Sequence, residues 1–178
     1  MEDWRTLKSE EVFQHPLIRV SLVLREKTTG QPHEFVVLNA PDWVVVIPVT
    51  PQREVVLIKQ WRQGSQEPTL EIPGGIIDPD ETPREAGVRE LREETGYYST
   101  KLTRLGCVRP NPALFGNRCH TFLAEDVESM GAPCPEESEH IEVLIRPLAD
   151  IPEMVRRGEI NHSLMVTAFT LFWLAQKR

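Results

Sequence analysis

Between Gly75 and Tyr97 the chain reads GIIDPDETPREAGVRELREETGY, and three of its glutamates are spaced for shared chemistry. On a helix, Glu90, Glu93 and Glu94 lie three and four residues apart, so their carboxylates share one face. At 3.6 residues per turn they span an arc of roughly 100°. Val88, Leu91 and Thr95 then point the other way, toward a core. Carboxylates crowded like this repel one another unless a cation sits among them. All-oxygen donors suit hard Mg²⁺, which keeps waters and binds substrate phosphates. Pairs of such ions activate water and neutralise charge on a transferred phosphoryl group. The bland alternative is a solvated Glu/Arg face, and the spacing together with a glycine corner ahead of the helix argues against it.

The elements that must position these groups are punctuated in the sequence. Thr82 is a good N-cap, Pro83 takes the first helical position and Glu85 completes a capping box. Gly96 is the natural stop. The helix therefore runs over 83–95, behind the corner Ile72-Pro73-Gly74-Gly75. Strands are expected at 17–25, 34–39, 43–49 and 54–61, and the Val-rich last two read as central strands buried on both faces. Further strands are expected at 101–107, 118–124 and 141–146, with a Pro/Glu/Gly loop over 125–139. A short helix near 148–157 and a last helix over 162–177 follow, the latter with an apolar stripe at Leu164, Ala168, Leu171, Phe172 and Leu174. This order favours a mixed α/β sandwich over a regular parallel βαβ wind.

Composition narrows the classes. A chain of 178 residues suits one domain with a core that needs no disulfides. A net charge of −7 argues against a nucleic-acid duplex as partner. Cys107, Cys119 and Cys134 are odd in number and lack zinc-type spacing, which fits idle thiols in a reducing compartment. The charged N-terminus carries no signal-peptide pattern, and no apolar run approaches membrane-span length. The expectation is a cytoplasmic protein with no membrane or nucleic-acid partner.

The segment 75–97 fits G-x5-E-x7-R-E-U-x-E-E-x-G-U, where U is bulky and apolar, with Tyr97 in a slot that is usually aliphatic. It resembles the signature of the Nudix hydrolase family at every charged and glycine position. The resemblance implies an α/β/α sandwich with a mixed β-sheet, preceded by an N-terminal β extension. Residues 1–40 would be that extension, involved in dimerisation, and 41–178 the catalytic domain. It implies Mg²⁺ as cofactor, with Mn²⁺ as the alternative. Glu90 and Glu94 would be the principal metal ligands, joined by Glu93 directly or through water and by the carbonyl of Gly74. Arg89 would orient the glutamates, Glu81 would anchor the loop, and Gly75 and Gly96 would be structural.

The flanking sequence VVLIKQWRQGSQEPTLEIPGGII resembles the ADP-ribose and nucleotide-sugar pyrophosphatase branch. By that resemblance Arg62 reaches the substrate phosphates, and Glu71, the lead-in glutamate, is a further substrate-binding residue; the alternative for Glu71 is an ordinary strand-end salt bridge. Pro112 matches a downstream proline of ADP-ribose pyrophosphatases, although NPALFGN replaces their usual Ser-Pro-Gly. In EESEHIEV, Glu137 aligns with the general base and Glu139 with a further metal contact; Glu93 and Glu94 are the other carboxylates able to serve in catalysis. Trp43 and Trp61 are candidates for base stacking or for core and interface packing. The implied enzyme is a homodimeric, Mg²⁺-dependent pyrophosphohydrolase that cuts ADP-ribose or another nucleoside diphosphate sugar into a nucleoside monophosphate and a sugar phosphate. The alternatives are a pyrophosphohydrolase of oxidised nucleoside triphosphates and, from another class, a non-catalytic ADP-ribose sensor.

Overall fold

The computed structural model describes residues 3–28, 30–135 and 140–176. These form two units: the chain up to Asp42 together with Val108–Arg118, and Trp43–Cys107 with the chain from Cys119 onward.

In the first unit, β1 (Trp4–His15), β2 (Ile18–Lys27) and β3 (His33–Asn39) make an antiparallel sheet with β2 at its centre. The strand β1 has no counterpart in the sequence reading. Its register shifts between Thr6 and Lys8 and again between Glu11 and Phe13. Each bulge resets the two-residue alternation by which a strand is recognised. Every residue of β1 is exposed, and Leu7, Val12 and Phe13 are exposed together with Leu17 and Val36.

The second unit is built on a mixed sheet. Its strands are β4 (Trp43–Val49), β5 (Glu54–Arg62), β6 (Glu67–Glu71), β7 (Gly74–Ile76), β9 (Leu102–Val108), β10 (Cys119–Glu125) and β12 (Ile141–Pro147). The order is β12-β5-β4-β10-β9, with β6 beside β5 and β7 beside β4. The strands β4 and β10 run parallel, whereas β12 and β6 pair antiparallel with β5. A two-stranded ribbon joins β8 (Tyr97–Tyr98) to β11 (Glu128–Ser129). The expected central strands are central: Val44, Val46, Ile47 and all of Val55–Ile58 have no solvent exposure.

Helix α1 (Pro83–Thr95) has the expected bounds. Its residues Ala86 and Leu91 pack into one cluster with Val44, Val46, Val56, Phe122 and Ala124 from the sheet, and Val88 packs against its edge. Truncating Leu91 to alanine there would cost about 2–5 kcal/mol. On the sheet's other side Val45 and Ile47 are also buried, which requires a second cover. Helix α3 (Ser163–Ala175) contacts β4 and β10 and buries Met165, Ala168, Phe169 and Phe172.

That buried face corrects the expected stripe in part. Leu174 is 57% exposed, and Met165 and Phe169 lie inside. The helix is apolar nearly all round, so periodicity alone could not choose its face. The expected 148–157 helix is a 3₁₀ turn, Leu148–Asp150, leading into a short α2 (Ile151–Arg156).

Candidate active site

The carboxylate helix is fixed at both ends by its own sequence. Thr82 Oγ1 accepts from the Glu85 N–H at 3.3 Å, and the Thr82 N–H donates to Glu85 Oε2 at 2.8 Å. Gly96 closes the other end at φ +72°, a left-handed conformation that glycine adopts without strain, and its N–H donates to the Arg92 carbonyl. The exit from the helix is therefore determined, and so is the azimuth of Glu90, Glu93 and Glu94.

The glycine corner meets that face. The Gly74 N–H donates to Glu94 Oε2 at 2.7 Å, and Glu94 is almost wholly buried. At Gly75 a Cβ atom would collide with the Glu90 carboxylate and push it aside, and at Gly74 a Cβ would run into the Val44 carbonyl of β4, so glycine lets the β7 backbone come this close. The strand β7 is itself held by β4, through Val44 opposite Gly75 and Val45 opposite Gly74. The corner and the helix are thus locked together through the central strand.

Arg89 gathers the remaining acids. Its Nε and Nη2 donate to the two oxygens of Glu81 at 2.8 and 2.9 Å, a bidentate pair. Its Nη1 donates to Glu90 Oε1 at 2.9 Å and to Glu93 Oε2 at 3.1 Å, and Nη2 also reaches the Ile76 carbonyl at 3.0 Å. One guanidinium thereby joins the loop, β7 and the acidic face. The hydrogen bonds from Arg89 hold the Glu81 carboxyl below the usual range, and those acids in turn raise the Arg89 pKa.

A second polar pair lies on β5 and β6. Arg62 Nε and Nη2 donate to the two oxygens of Glu71, each at 2.7 Å, and Thr69 Oγ1 donates to Glu71 Oε1 at 2.6 Å. Glu71 is 2% exposed, while the Arg62 side chain is 42% exposed. Burial pushes the Glu71 carboxyl up, but hydrogen bonds and charge from Arg62, with help from Thr69 and His162, outweigh it and hold the carboxyl below its ordinary value. Glu71 thus acts as a buried anchor that sets the direction of a half-exposed guanidinium. Thr69 went unremarked in the sequence, where the only signal is its position two residues before Glu71, on the same strand face.

The other candidates are dispersed. Trp61 is half exposed and opposite Pro68; by strand alternation it faces away from Arg62 and Gln60. Trp43 is half buried, opposite Ile76 and Cys119. His120 is buried with its Nε2 4.0 Å from Cys107 Sγ, and Arg104 is exposed. Pro112 is exposed and belongs to the first unit, as do Arg109 and Arg118. Glu137 and Glu139 lie outside the described residues. A cavity of about 660 Å³ runs along the outer side of α1, from Arg92 and Glu93 to Tyr98, Met130 and Cys134. No sequence pattern announced it, because its far wall comes from residues that follow the helix by more than thirty positions.

The donor chemistry of the acidic face fits a hard divalent cation. It offers carboxylates at Glu90, Glu93 and Glu94 with a backbone corner pressed against them, and no nitrogen or sulfur donor among the three. Among the described residues, no three acid, thiol or imidazole groups already converge as a metal cluster. Arg89 occupies Glu90 and Glu93 instead, so a cation would compete with it for those oxygens.

A mixed sheet covered on both sides, with a carboxylate helix locked to a glycine corner, defines a pyrophosphohydrolase of the Nudix type. The chain belongs to the NUDIX domain family, whose model matches residues 40–168. It is 28% identical over 174 residues to the ADP-ribose pyrophosphatase of Bacillus subtilis (strain 168), covering 97% of this chain and 93% of that one. It is 29% identical to the ADP compounds hydrolase NudE of Escherichia coli (strain K12), over 74% of this chain and 70% of the relative. A crystal structure of an ADP compounds hydrolase superposes with a TM-score of 0.87 at 25% identity, covering 99% of this chain and 97% of the other.

Proposed function

We propose that this enzyme hydrolyses the pyrophosphate of ADP-ribose or another nucleoside diphosphate sugar, with Mg²⁺ as cofactor and Mn²⁺ as the substitute. Water attacks one phosphorus, the bridging P–O bond breaks, and a nucleoside monophosphate and a sugar phosphate leave. The observation that carries the reading is the acidic face of α1, locked by Gly74 and Gly75 and gathered by Arg89. The names of the similar proteins, an ADP-ribose pyrophosphatase and two ADP compounds hydrolases, support the substrate class.

Glu90, Glu93 and Glu94, with the carbonyl of Gly74, would hold the metal, and Glu139 would add a contact. A divalent ion supplies charge neutralisation at the pyrophosphate and makes bound water more acidic. Arg89 keeps Glu90 and Glu93 oriented, and Glu81 anchors Arg89. Arg62, aimed by Glu71, binds substrate phosphate, and Pro112 contributes to substrate binding. Glu137 is assigned the general base; Glu93 and Glu94 are the other carboxylates able to take the proton from the attacking water.

The exposed apolar residues of the N-terminal sheet support a homodimer that covers them, with residues 1–40 as the interface. The three cysteines, Cys107, Cys119 and Cys134, suit a reducing compartment, and we assign the protein to the cytoplasm. No helix among the described residues is long and apolar enough to cross a membrane. The net charge of −7 disfavours nucleic acid as a partner.

The test is a substrate panel of ADP-ribose, GDP-mannose, UDP-glucose, NADH, 8-oxo-dGTP and the standard dNTPs, each with Mg²⁺ and with EDTA. Released monophosphate is read after phosphatase treatment. Turnover of diphosphate sugars that EDTA abolishes is the expected result. Turnover of triphosphates alone would reassign the enzyme to nucleotide sanitation, and ADP-ribose binding without turnover would make it a sensor.

A further inference from the structure

Four consecutive residues, Glu71 to Gly74, are each held by a different element of the second unit. The Glu71 carboxylate accepts from Arg62 of β5, twice at 2.7 Å. The Ile72 N–H donates to Met165 Sδ of α3 at 3.2 Å. The Pro73 carbonyl accepts from the Val46 N–H of β4 at 2.9 Å. The Gly74 N–H donates to Glu94 Oε2 of α1 at 2.7 Å. The link from β6 to β7 is therefore fixed at four successive points, and the last of them aims a carboxylate of the acidic face.

The bond to sulfur is the informative one. Ile72 follows the last residue of β6 and precedes β7, so its N–H has left one ladder and not yet joined the next. Ile72 is 1% exposed, so solvent does not serve as its acceptor. A buried N–H with no acceptor is unfavourable, and a thioether, although a weak acceptor, is what this one has. Met165 is itself 2% exposed and lies 93 residues further along the chain. Leucine would fill nearly the same volume and leave the Ile72 amide stranded.

We propose that Met165 is a positioning residue for the metal site: its sulfur, by accepting the Ile72 N–H, fixes the link so that the Gly74 N–H holds Glu94 ready for a divalent cation. The inference rests on the reading of the acidic face as the metal site. It brings α3, a helix without a single carboxylate, into the support of that site. Met165 supplies no ligand, so losing its sulfur loosens Glu94 and leaves the donor set complete.

The test uses the full-length protein, stripped with EDTA and titrated with Mn²⁺ alone, with free Mn²⁺ read by electron paramagnetic resonance. Amide exchange at Ile72 and Gly74 is followed by NMR on the metal-free samples. Met165→Leu removes the acceptor. Met154→Leu is the control, because Met154 is also buried and its sulfur accepts no hydrogen bond among the described residues. Protein carrying norleucine for methionine, a methylene in place of each sulfur, is the second form if Met165→Leu does not fold. Met165→Leu is expected to weaken Mn²⁺ binding about fivefold, the factor that one ordinary hydrogen bond represents, and to quicken exchange at Ile72 and Gly74. Norleucine protein is expected to match it, and Met154→Leu to match wild type in both readouts. A general loss of packing would lower the melting temperature of both leucine variants and move Mn²⁺ affinity in neither. Unchanged Mn²⁺ affinity in Met165→Leu and in norleucine protein overturns the proposal, as does equal weakening in Met154→Leu. If wild type binds no Mn²⁺, the metal reading of the acidic face fails and the role toward Glu94 falls with it. Exchange then judges the sulfur bond by itself: quickening at Ile72 and Gly74 in Met165→Leu alone upholds its hold on the link, and unchanged exchange overturns that as well.

Discussion

The Gly74 N–H and Glu94 Oε2 lie 2.7 Å apart, joining the corner before the helix to a carboxylate twenty residues later that is 1% exposed. A buried acid aimed by a backbone donor is preorganised, because its side chain has no rotamers to search when a cation arrives. A glutamine at this position keeps an oxygen for the Gly74 donor and loses the charge.

Glu94→Gln is therefore expected to fold normally and to lose kcat by on the order of 10²- to 10⁴-fold. Thermal unfolding and steady-state kinetics on the same preparation check both halves. Turnover near the wild-type rate would remove Glu94 from the metal set. Glu137→Gln should slow the reaction with little change in Mg²⁺ activation, and an unchanged rate would move the proton to Glu93 or Glu94.

Arg89→Ala should destabilise the metal-free protein by about 1.5–3 kcal/mol, since hydrogen bonds to charged partners are lost and Glu81, Glu90 and Glu93 are left facing one another. A cation that enters the acidic face relieves that repulsion. Added Mg²⁺ should raise the melting temperature of the variant more than that of wild type. Equal shifts would mean that the acidic face is not where the cation binds.

The Glu71–Arg62 pair makes stability depend on acid pH. The Glu71 carboxyl is lowered from 4.5 in the folded chain, so its contribution is fully present above that value and is lost as the pH falls through the lower, folded value. The stability difference between wild type and Glu71→Gln should therefore be largest near neutrality and shrink below pH 4.5. Denaturant titrations at pH 7 and pH 3.5 measure it, and a difference that does not vary with pH would show that the pair carries no charge-dependent stability.

The exposed apolar face of the N-terminal sheet predicts the assembly. Light scattering should give twice the 20.4 kDa chain mass for wild type. Phe13→Glu, at a position more than half exposed, should shift the species toward monomer without unfolding it. A monomeric wild type would refute the assigned interface.

The chemistry of this enzyme was legible before its shape. Thr82, Pro83, Glu85 and Gly96 delimit α1 by local hydrogen bonding, which needs no partner from elsewhere in the chain. The spacing of Glu90, Glu93 and Glu94 follows from helix geometry alone. The central strands β4 and β5 announced themselves because continuous Val and Ile runs have no alternative but burial. By contrast, β1 was illegible, since two bulges break its alternation, and α3 did not reveal its buried face, since it is apolar almost all round. The short strands β6 and β7 are stabilised by pairing with β5 and β4, a non-local energy that a few residues of sequence do not carry.

What the sequence determined by itself was therefore the class of chemistry and the helix that bears it, because capping and periodicity are local. Tertiary structure alone decided which groups meet: Gly74 against Glu94, Arg89 across Glu81, Glu90 and Glu93, Arg62 on Glu71, and Asn117 on Pro41. The last of these spans 76 residues and depends on where β3 ends. Such contacts arise from strand register and sheet order, which are set by the packing of the whole core and leave no trace in the spacing of neighbouring residues.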